Sequence, residues 1–272
     1  MKNSPVKVIS NHEVAPNCFR IVLSGSFEDF ILKPGQFIML RVGVGYDPLL
    51  RRPFAAHRSK TSEGIFLEIF YQVVGYGTQI MSHMLPGTEL ELLGPLGNGF
   101  EIPAILSTAL VVAGGIGIVP LRGLIHHLVE LKIKNTHVFV GAQSGAQLLF
   151  QPEFQKMDIS LHLATEDGSL GNRGLVTDLF QQFLENHPLK DENRTMCFAC
   201  GPRPLLAKAA NLSLTFQLPC QVSLESRMAC GIGVCLGCAV KLRHHGQQDP
   251  PRDHYGRVCL EGPVFDAKEI EW

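Results

Sequence analysis

Four cysteines near the end of the chain constrain its fold more than any other feature. Cys230, Cys235 and Cys238 stand in a C-x4-C-x2-C pattern, and Cys259 follows 21 residues later. This is the plant-type spacing of a [2Fe–2S] cluster, in which four thiolates converge on two irons. A short loop wraps three of them around the cluster, and a distant fourth closes the cage. Gly231, Gly233 and Gly237 permit the positive-φ turns that such wrapping needs and leave backbone N–H groups free to bond sulfur. Two other readings stand beside this one. Cys197 and Cys200 form a second C-x2-C pair that could join Cys235 and Cys238 around zinc, although Cys197–Cys200 reads as the end of a buried strand. The thiols could also be clustered core residues. Cys18 and Cys220 have no evident partner and read as core.

The rest of the chain reads as two further units. Residues 1–101 carry short runs of strand-formers, Val6–Ser10, Cys18–Leu23, Gln36–Val42 and Gly64–Tyr71, separated by turn signals such as Lys33-Pro34-Gly35. That spacing predicts a small antiparallel β-barrel. Residues 102–225 alternate strand and helix. Leu110–Ala113, His137–Val140, Ile159–Ala164, Met196–Ala199 and Gln221–Leu224 are the strand candidates. Helices are expected over 121–131, 146–156, 174–186 and 203–211. This is the pattern of a parallel α/β sheet covered on both faces. Residues 226–272 form the third unit, which holds the cysteine cluster. At 47 residues it is too short to depend on its own core, so its thiolates are expected to help hold it folded.

Composition excludes several alternatives. With 24 Lys+Arg against 25 Asp+Glu, no overall basic field draws nucleic acid or an anionic membrane. Eight Cys in 272 residues are too few for a disulfide-dense secreted scaffold. Ile102–Leu121 is 20 residues without a charge, long enough for a membrane span. Its glycines, its Pro103 and Pro120 and its β-branched centre instead mark a buried parallel strand running into a turn. The start of the chain lacks the apolar run of a secretory signal. The expected location is the cytoplasm, where thiols stay reduced.

Gly114-Gly115-Ile116-Gly117 follows a predicted strand and opens a helix, with Pro120 suited to the first turn. Such a turn lets backbone N–H groups approach a pyrophosphate. It departs from G-x-G-x-x-G, because the third glycine position is Pro120, and no acidic residue ends the next strand. Two loops are expected beside it at the carboxyl ends of the strands. They carry Thr165 and Asp167, and Cys200-Gly201-Pro202. In the β-rich unit, Arg52-Pro53-Phe54-Ala55 and Gly75-Tyr76-Gly77-Thr78 stand out, the second ahead of a helix near 79–84. An Arg beside Pro and an aromatic suits a flavin diphosphate and ring, and Gly77-Thr78 could bond the same phosphates.

Together these motifs resemble the layout of the ferredoxin–NADP reductase superfamily. Leu93–Phe100, Glu225–Gly233 and Val258–Phe265 look like the electron-transfer subunits of class 1B dihydroorotate dehydrogenases, and the similarity spans essentially the whole chain. The resemblance implies FAD contacts at Arg52, Pro53, Phe54, Ala55, Phe70, Tyr71, Gln72, Gly77 and Thr78. It implies cluster ligands at Cys230, Cys235, Cys238 and Cys259. NAD is the implied co-substrate, at Gly114, Gly115, Gly117, Thr165, Asp167, Cys200, Gly201 and Pro202. The family usually has Ile-Ser or a similar pair where this chain has Phe54-Ala55, which removes a hydroxyl bond to the flavin ring. It often has Arg where Gln72 stands, which puts one charged phosphate contact in question.

The implied function is a relay. An FMN-containing catalytic subunit, expected in a heterotetramer, oxidises dihydroorotate, and electrons pass through [2Fe–2S] and FAD to NAD+ in pyrimidine biosynthesis. Flavin belongs between a one-electron cluster and a two-electron nicotinamide because it does both. No side chain of this subunit need act as acid or base. An NAD(P)H–ferredoxin or hydrogenase-type reductase subunit is the alternative, and a zinc-stabilised nucleotide-binding regulator is a rival of another class. The lack of Arg or Lys near Gly141–Ala146 favours NAD+ over NADP+. Apolar Ile232, Val234 and Leu236 are expected at the partner interface. His244, His245 and Trp272 are expected to be peripheral.

Overall fold

The computed structural model describes residues 2–43, 45–62, 64–187, 194–243 and 254–272. The expected His244 and His245 lie outside the described residues. The first sheet is built from β1 (Lys2–Ala15), β2 (Cys18–Ser24), β3 (Phe37–Arg41), β4 (Arg52–Ala55), β5 (His57–Thr61), β6 (Gly64–Gln72) and β7 (Glu89–Leu96). Its strands are all antiparallel, in the order β4-β3-β7-β1-β2-β6-β5, and it curls until β4 meets β6. Alternation decides which face turns inward. Val6 and Val8 of β1, Ile21 and Leu23 of β2, Ile38 and Leu40 of β3, and Leu67 and Ile69 of β6 form one core. A short helix, α1 (Tyr76–Ser82), is tied to this core through Asn11. The Asn11 amide donates to the carbonyls of Met81 and Met84 at 2.8 and 3.3 Å and accepts from the Tyr71 hydroxyl at 3.0 Å.

The second sheet follows as β8 (Thr108–Gly114), α2 (Ile118–Glu130), β9 (Asn135–Ala142), α3 (Gln151–Phe154), β10 (Ser160–Thr165), β11 (Asn172–Arg173), α4 (Val176–Asn186), β12 (Thr195–Cys200), α5 (Arg203–Thr215) and β13 (Cys220–Ser223). These strands are parallel, in the order β11-β10-β9-β8-β12-β13. The uncharged run is thus the central strand β8. Ala109, Val111 and Ala113 pack with Leu121, Leu124 and Ile125 of α2. Leu110 and Val112 pack with Phe180 of α4 and Leu206 of α5 on the other face. A strand buried on both faces has no polar positions to alternate, which explains the continuous hydrophobicity. Among the described residues no helix is long and apolar enough to cross a membrane.

The helix expected over 146–156 is a correction. That stretch holds a 3-10 turn at Gly145–Gln147 and the single turn of α3, with Pro152 at its start. Leu148 and Leu149 are buried in the α2 core, and that packing overrides helical propensity between them. The helix expected near 79–84 begins earlier, at Tyr76.

The C-terminal segment contributes β14 (Ala239–Leu242), β15 (His254–Arg257) and β16 (Val264–Asp266). β14 and β15 form a two-stranded ribbon, whereas β16 adds antiparallel to β13 at the edge of the large sheet. Cys238, Val258, Cys259, Phe265 and Ile270 share one core with Met39 of the first sheet and Leu206 and Val222 of the second. The segment thus packs against both larger units, with Cys238 and Cys259 in the shared core. Trp272 packs against this core and donates its indole N–H to the Ala267 carbonyl at 3.1 Å.

Candidate functional site

A cavity of about 550 Å3 lies where the three parts of the chain meet. One wall is Arg52, Pro53, Phe54 and Ala55 of β4 with Phe70, Tyr71 and Gln72 of β6. Gly75–Thr78, the N-cap and first turn of α1, also line the cavity. All nine expected flavin residues are therefore gathered on one concave surface. The opposite wall is Ile116, Val119 and Pro120 of the glycine turn and α2, together with Cys200 of β12. Ser223, Leu224, Glu225, Ser226 and Met228, which follow β13, and Pro263 complete it. Glu225, Ser226, Met228 and Pro263 lie in the stretches that carry the family resemblance, but none of these last residues was expected at a cofactor site. Partial desolvation at the cavity edge raises the Glu225 carboxyl from its ordinary value. A wider depression of about 1140 Å3 between α1 and the ends of β1, β3 and β7 holds none of the expected site residues.

Gly77 owes its identity to Arg52. A Cβ at position 77 would lie 2.7 Å from Arg52 Nε and 3.2 Å from Cζ, so the guanidinium rests on the bare turn. Arg52 also donates to the Leu50 carbonyl. The Thr78 hydroxyl is engaged within the turn. It donates to the Gly75 carbonyl at 3.0 Å and accepts from the Val74 and Gly75 amides at 3.0 and 3.2 Å. Its visible work is shaping the loop on which Arg52 rests. Arg52 and this turn fit a diphosphate, and the aromatic and aliphatic wall fits a flat ring.

The glycine turn lies across the cavity, outside the carboxyl ends of β8 and β12. The chain leaves β8 for β9 on one side and later returns to β12 on the other, which makes a topological switch point. A Cβ on Gly117 would lie 2.5 Å from the Cys200 carbonyl oxygen, and one on Gly114 would lie 2.4 Å from Leu205 Cδ1. Gly201, at φ +155°, packs over Gly114. Gly114, Gly117, Cys200, Gly201 and Pro202 are thus one packed unit. Gly115, at φ +54°, has open space above it, as close approach of a pyrophosphate requires.

Thr165 and Asp167 sit apart from the flavin cavity. Thr165 is fully buried, and its hydroxyl donates to the Leu170 carbonyl at 2.8 Å and accepts from its amide at 3.1 Å. Asp167 Oδ1 accepts from the Ser169 amide and hydroxyl at 2.9 and 2.6 Å, bonds that lower its pKa. Ser169 Oγ in turn accepts from the Gly145 amide at 2.8 Å, joining the loops after β9 and β10. Arg173 packs along Gly168 in this second loop. It puts a cation on the loop that is bonded to the Gly141–Ala146 segment, which has none of its own.

The four cysteines come together as two pairs, Cys230 with Cys235 and Cys238 with Cys259. Gly231 and Gly233 take φ of +70° and +82°. Backbone N–H groups point at sulfur: Ile232 to Cys230 at 3.4 Å, Gly233 to Cys259 at 3.2 Å, and Cys259 to Cys238 at 3.4 Å. Desolvation opposes ionisation of Cys230, yet the Ile232 amide and its neighbours bring the thiol down to about 6. Burial and the adjacent Cys238 push Cys259 up to about 12. Among the described residues no three Cys, His, Asp or Glu converge on the position of one metal ion. Two thiol pairs suit a two-iron cluster, in which each iron takes two protein ligands. Cys197 and Cys200 are wholly buried in β12, where Cys197 is paired with Cys220, and so are placed away from zinc ligation. Around the cysteine loop Ile232, Val234 and Leu236 are exposed, as is Leu260.

Comparison with known proteins agrees with this arrangement. A family model described as the iron–sulfur cluster binding domain of dihydroorotate dehydrogenase B matches residues 225–271, and an oxidoreductase NAD-binding domain matches 111–211. The dihydroorotate dehydrogenase B (NAD(+)) electron transfer subunit of Desulforamulus reducens is 38% identical, covering 98% of this chain and 97% of its own. That of Fusobacterium nucleatum is 34% identical, covering 100% and 99%. A chain from the NADH-dependent reduced ferredoxin-NADP oxidoreductase structure, solved for insight into flavin-based electron bifurcation, superposes with a TM-score of 0.81. It is 28% identical, with 98% of this chain and 89% of that one covered. A ferredoxin NADP+ reductase from Neisseria gonorrhoeae with bound FAD and NADP shares the fold, with a TM-score of 0.67 at 16% identity and coverage of 79% and 92%. From the thiol pairs through the shared cavity to relatives matched over their full length, the chain belongs to the family of dihydroorotate dehydrogenase B electron transfer subunits.

Proposed function

We propose that this chain carries electrons from a catalytic partner subunit through a [2Fe–2S] cluster and FAD to NAD+, completing the oxidation of dihydroorotate in pyrimidine biosynthesis. The carrying observation is that one cavity is bordered by the expected flavin residues, by the glycine turn and by the approach to the cysteine loop. Its flavin wall faces the glycine turn and Cys200, and Met228, two residues before Cys230, forms part of its side. When bound, the cluster supplies one-electron transfer, and the flavin links this to two-electron transfer with nicotinamide.

The residues of this chain bind and orient. Cys230, Cys235, Cys238 and Cys259 hold the cluster, and the Ile232 and Gly233 amides favour charge on sulfur. Arg52, resting on Gly77, holds the flavin diphosphate. Pro53, Phe54, Ala55, Phe70, Tyr71 and Gln72 enclose the ring. Gly114, Gly115 and Gly117 with Cys200-Gly201-Pro202 receive the dinucleotide, and Thr165 and Asp167 shape its outer rim. This divides the chain as 1–101 for FAD, 102–225 for NAD and 226–272 for the cluster. The partner is an FMN-containing dihydroorotate dehydrogenase subunit in a heterotetramer in the cytoplasm. Exposed Val234 and Leu236 favour an apolar contact beside the cluster.

The test is co-expression with an FMN-bearing subunit, followed by a visible spectrum, flavin and iron analysis, and NADH formation from dihydroorotate. Orotate-linked NADH supports the reading. A complex that reduces NAD+ from another donor and never from dihydroorotate overturns it. Such an outcome would favour the ferredoxin reductase role suggested by the structural neighbour at 28% identity.

A further inference from the structure

Hydride transfer needs the nicotinamide and flavin rings within roughly 3–3.5 Å. In this chain the two rings are gripped by different units, so some contact must fix one unit against the other. Arg122 occupies that position. It lies on α2, five residues after Gly117 of the glycine turn. Its side chain is 19% exposed and reaches Glu68 of β6, itself 10% exposed, at 3.5 Å. It also pairs with Glu153 of α3 at 2.8 Å. The guanidinium lies over Phe70 at 5.6 Å and over Phe150 at 5.0 Å, and these two rings meet edge to face at 4.7 Å.

Glu68 and Phe70 are two apart on β6 and so share a face. Arg122 therefore holds both together, and Phe70 is part of the flavin wall. Phe150 adopts φ +63°, a left-handed conformation uncommon for a bulky residue that persists only where its surroundings impose it. Each carboxylate also has a partner within its own unit: Glu68 pairs with Arg20 at 2.9 Å, and Glu153 is hydrogen-bonded to His126 at 2.6 Å. What Arg122 adds is a planar tie between the two units.

We propose that Arg122 is a positioning residue, which sets the glycine turn against the flavin wall through Glu68, Phe70 and Phe150 and so aligns nicotinamide with flavin. The inference rests on the electron-transfer reading above. It predicts a loss of alignment without loss of either ligand, because Arg122 lines neither the cavity nor the turn.

The test uses the assembled complex carrying flavin and cluster, with Arg122→Met. NADH reduces the flavin anaerobically in stopped flow, and reduced flavin is titrated with NAD+ to record long-wavelength charge-transfer absorbance, which reports ring stacking. At saturating dinucleotide the expected result is at least a tenfold slower flavin reduction and most of the charge-transfer absorbance lost. Dinucleotide affinity should stay within about threefold. A misplacement of 1 Å is enough for roughly a 10²-fold loss. Reduction and absorbance within twofold of wild type would overturn the proposal. If R122M does not retain flavin, Arg122→Lys decides, because Lys keeps the charge but not the planar stack. An intermediate loss supports the proposal, and wild-type behaviour overturns it. Wild-type complex whose flavin NADH fails to reduce would count instead against the functional reading.

Discussion

Replacing Gly77 by Ala should separate folding from flavin binding. The position lies within α1, and its backbone needs no positive φ. Ala is the better helix former, by up to about 1 kcal/mol in a helix interior. The added Cβ, however, would sit 2.7 Å from Arg52 Nε, where ordinary contact begins near 3.4 Å. Because the obstacle is a flexible side chain, the fold yields by moving the guanidinium some tenths of an ångström or more. That moves it off the place proposed for its contact with the flavin diphosphate. A hydrogen bond to a charged group contributes about 1.5–3 kcal/mol. At about 1.4 kcal/mol per tenfold, FAD affinity should fall roughly 10- to 150-fold while the melting temperature of the flavin-free protein holds or rises. Equilibrium titration of FAD fluorescence with the reconstituted protein, beside calorimetry of the flavin-free form, reads both quantities. In an Arg52→Ala background the same substitution should cost almost nothing, since interacting residues are non-additive. FAD affinity within twofold of wild type for G77A alone would refute the reasoning.

Gly117→Ala should weaken the dinucleotide site, because its Cβ would lie 2.5 Å from the Cys200 carbonyl oxygen and backbone cannot yield as a side chain does. NAD+ affinity measured by titration should drop at least about tenfold, with overpacking costing about 1–3 kcal/mol of stability; unchanged affinity would show that the two loops move apart freely. Acidification should destabilise the protein between pH 6.5 and about 4. Burial lowers His57 and His137 to about 4, and burial also lowers His162. The unfolded chain therefore binds protons in that window before the native state does, so stability is full above 6.5 and is lost as pH falls. His137 and His162 are bonded at 3.3 Å, which requires one neutral acceptor. His137→Gln should flatten the fall in melting temperature across that range, and an unaltered slope would count against this origin.

Some features were open to sequence reading because the contacts that make them are local. The thiol spacing encodes a loop in which three ligands lie within nine residues, and positive φ at Gly231 and Gly233 is met by glycine's freedom. The run into Gly114 showed a strand buried on both faces. β7 alternates buried and half-buried positions, as a one-sided strand should, and was there to be read. β5, with sequence HRSKT, carries no apolar alternation, and only its pairing with β6 defines it.

The sequence by itself determined the spacing of the thiols, the parallel core strand, the glycine turn and the Arg52–Ala55 strip, since each depends on residues close in the chain. Only the tertiary structure decided what those pieces face. It buried Thr165 rather than presenting it, set Cys200 and Gly201 against Gly117, and brought Glu225, Met228 and Pro263 into the flavin cavity. It also carried Arg122 across to Glu68 and returned β16 to the edge of the large sheet. These contacts join residues from separate units, and they are fixed by how helices cover a sheet and which surfaces must leave water together. Local spacing carries no record of that.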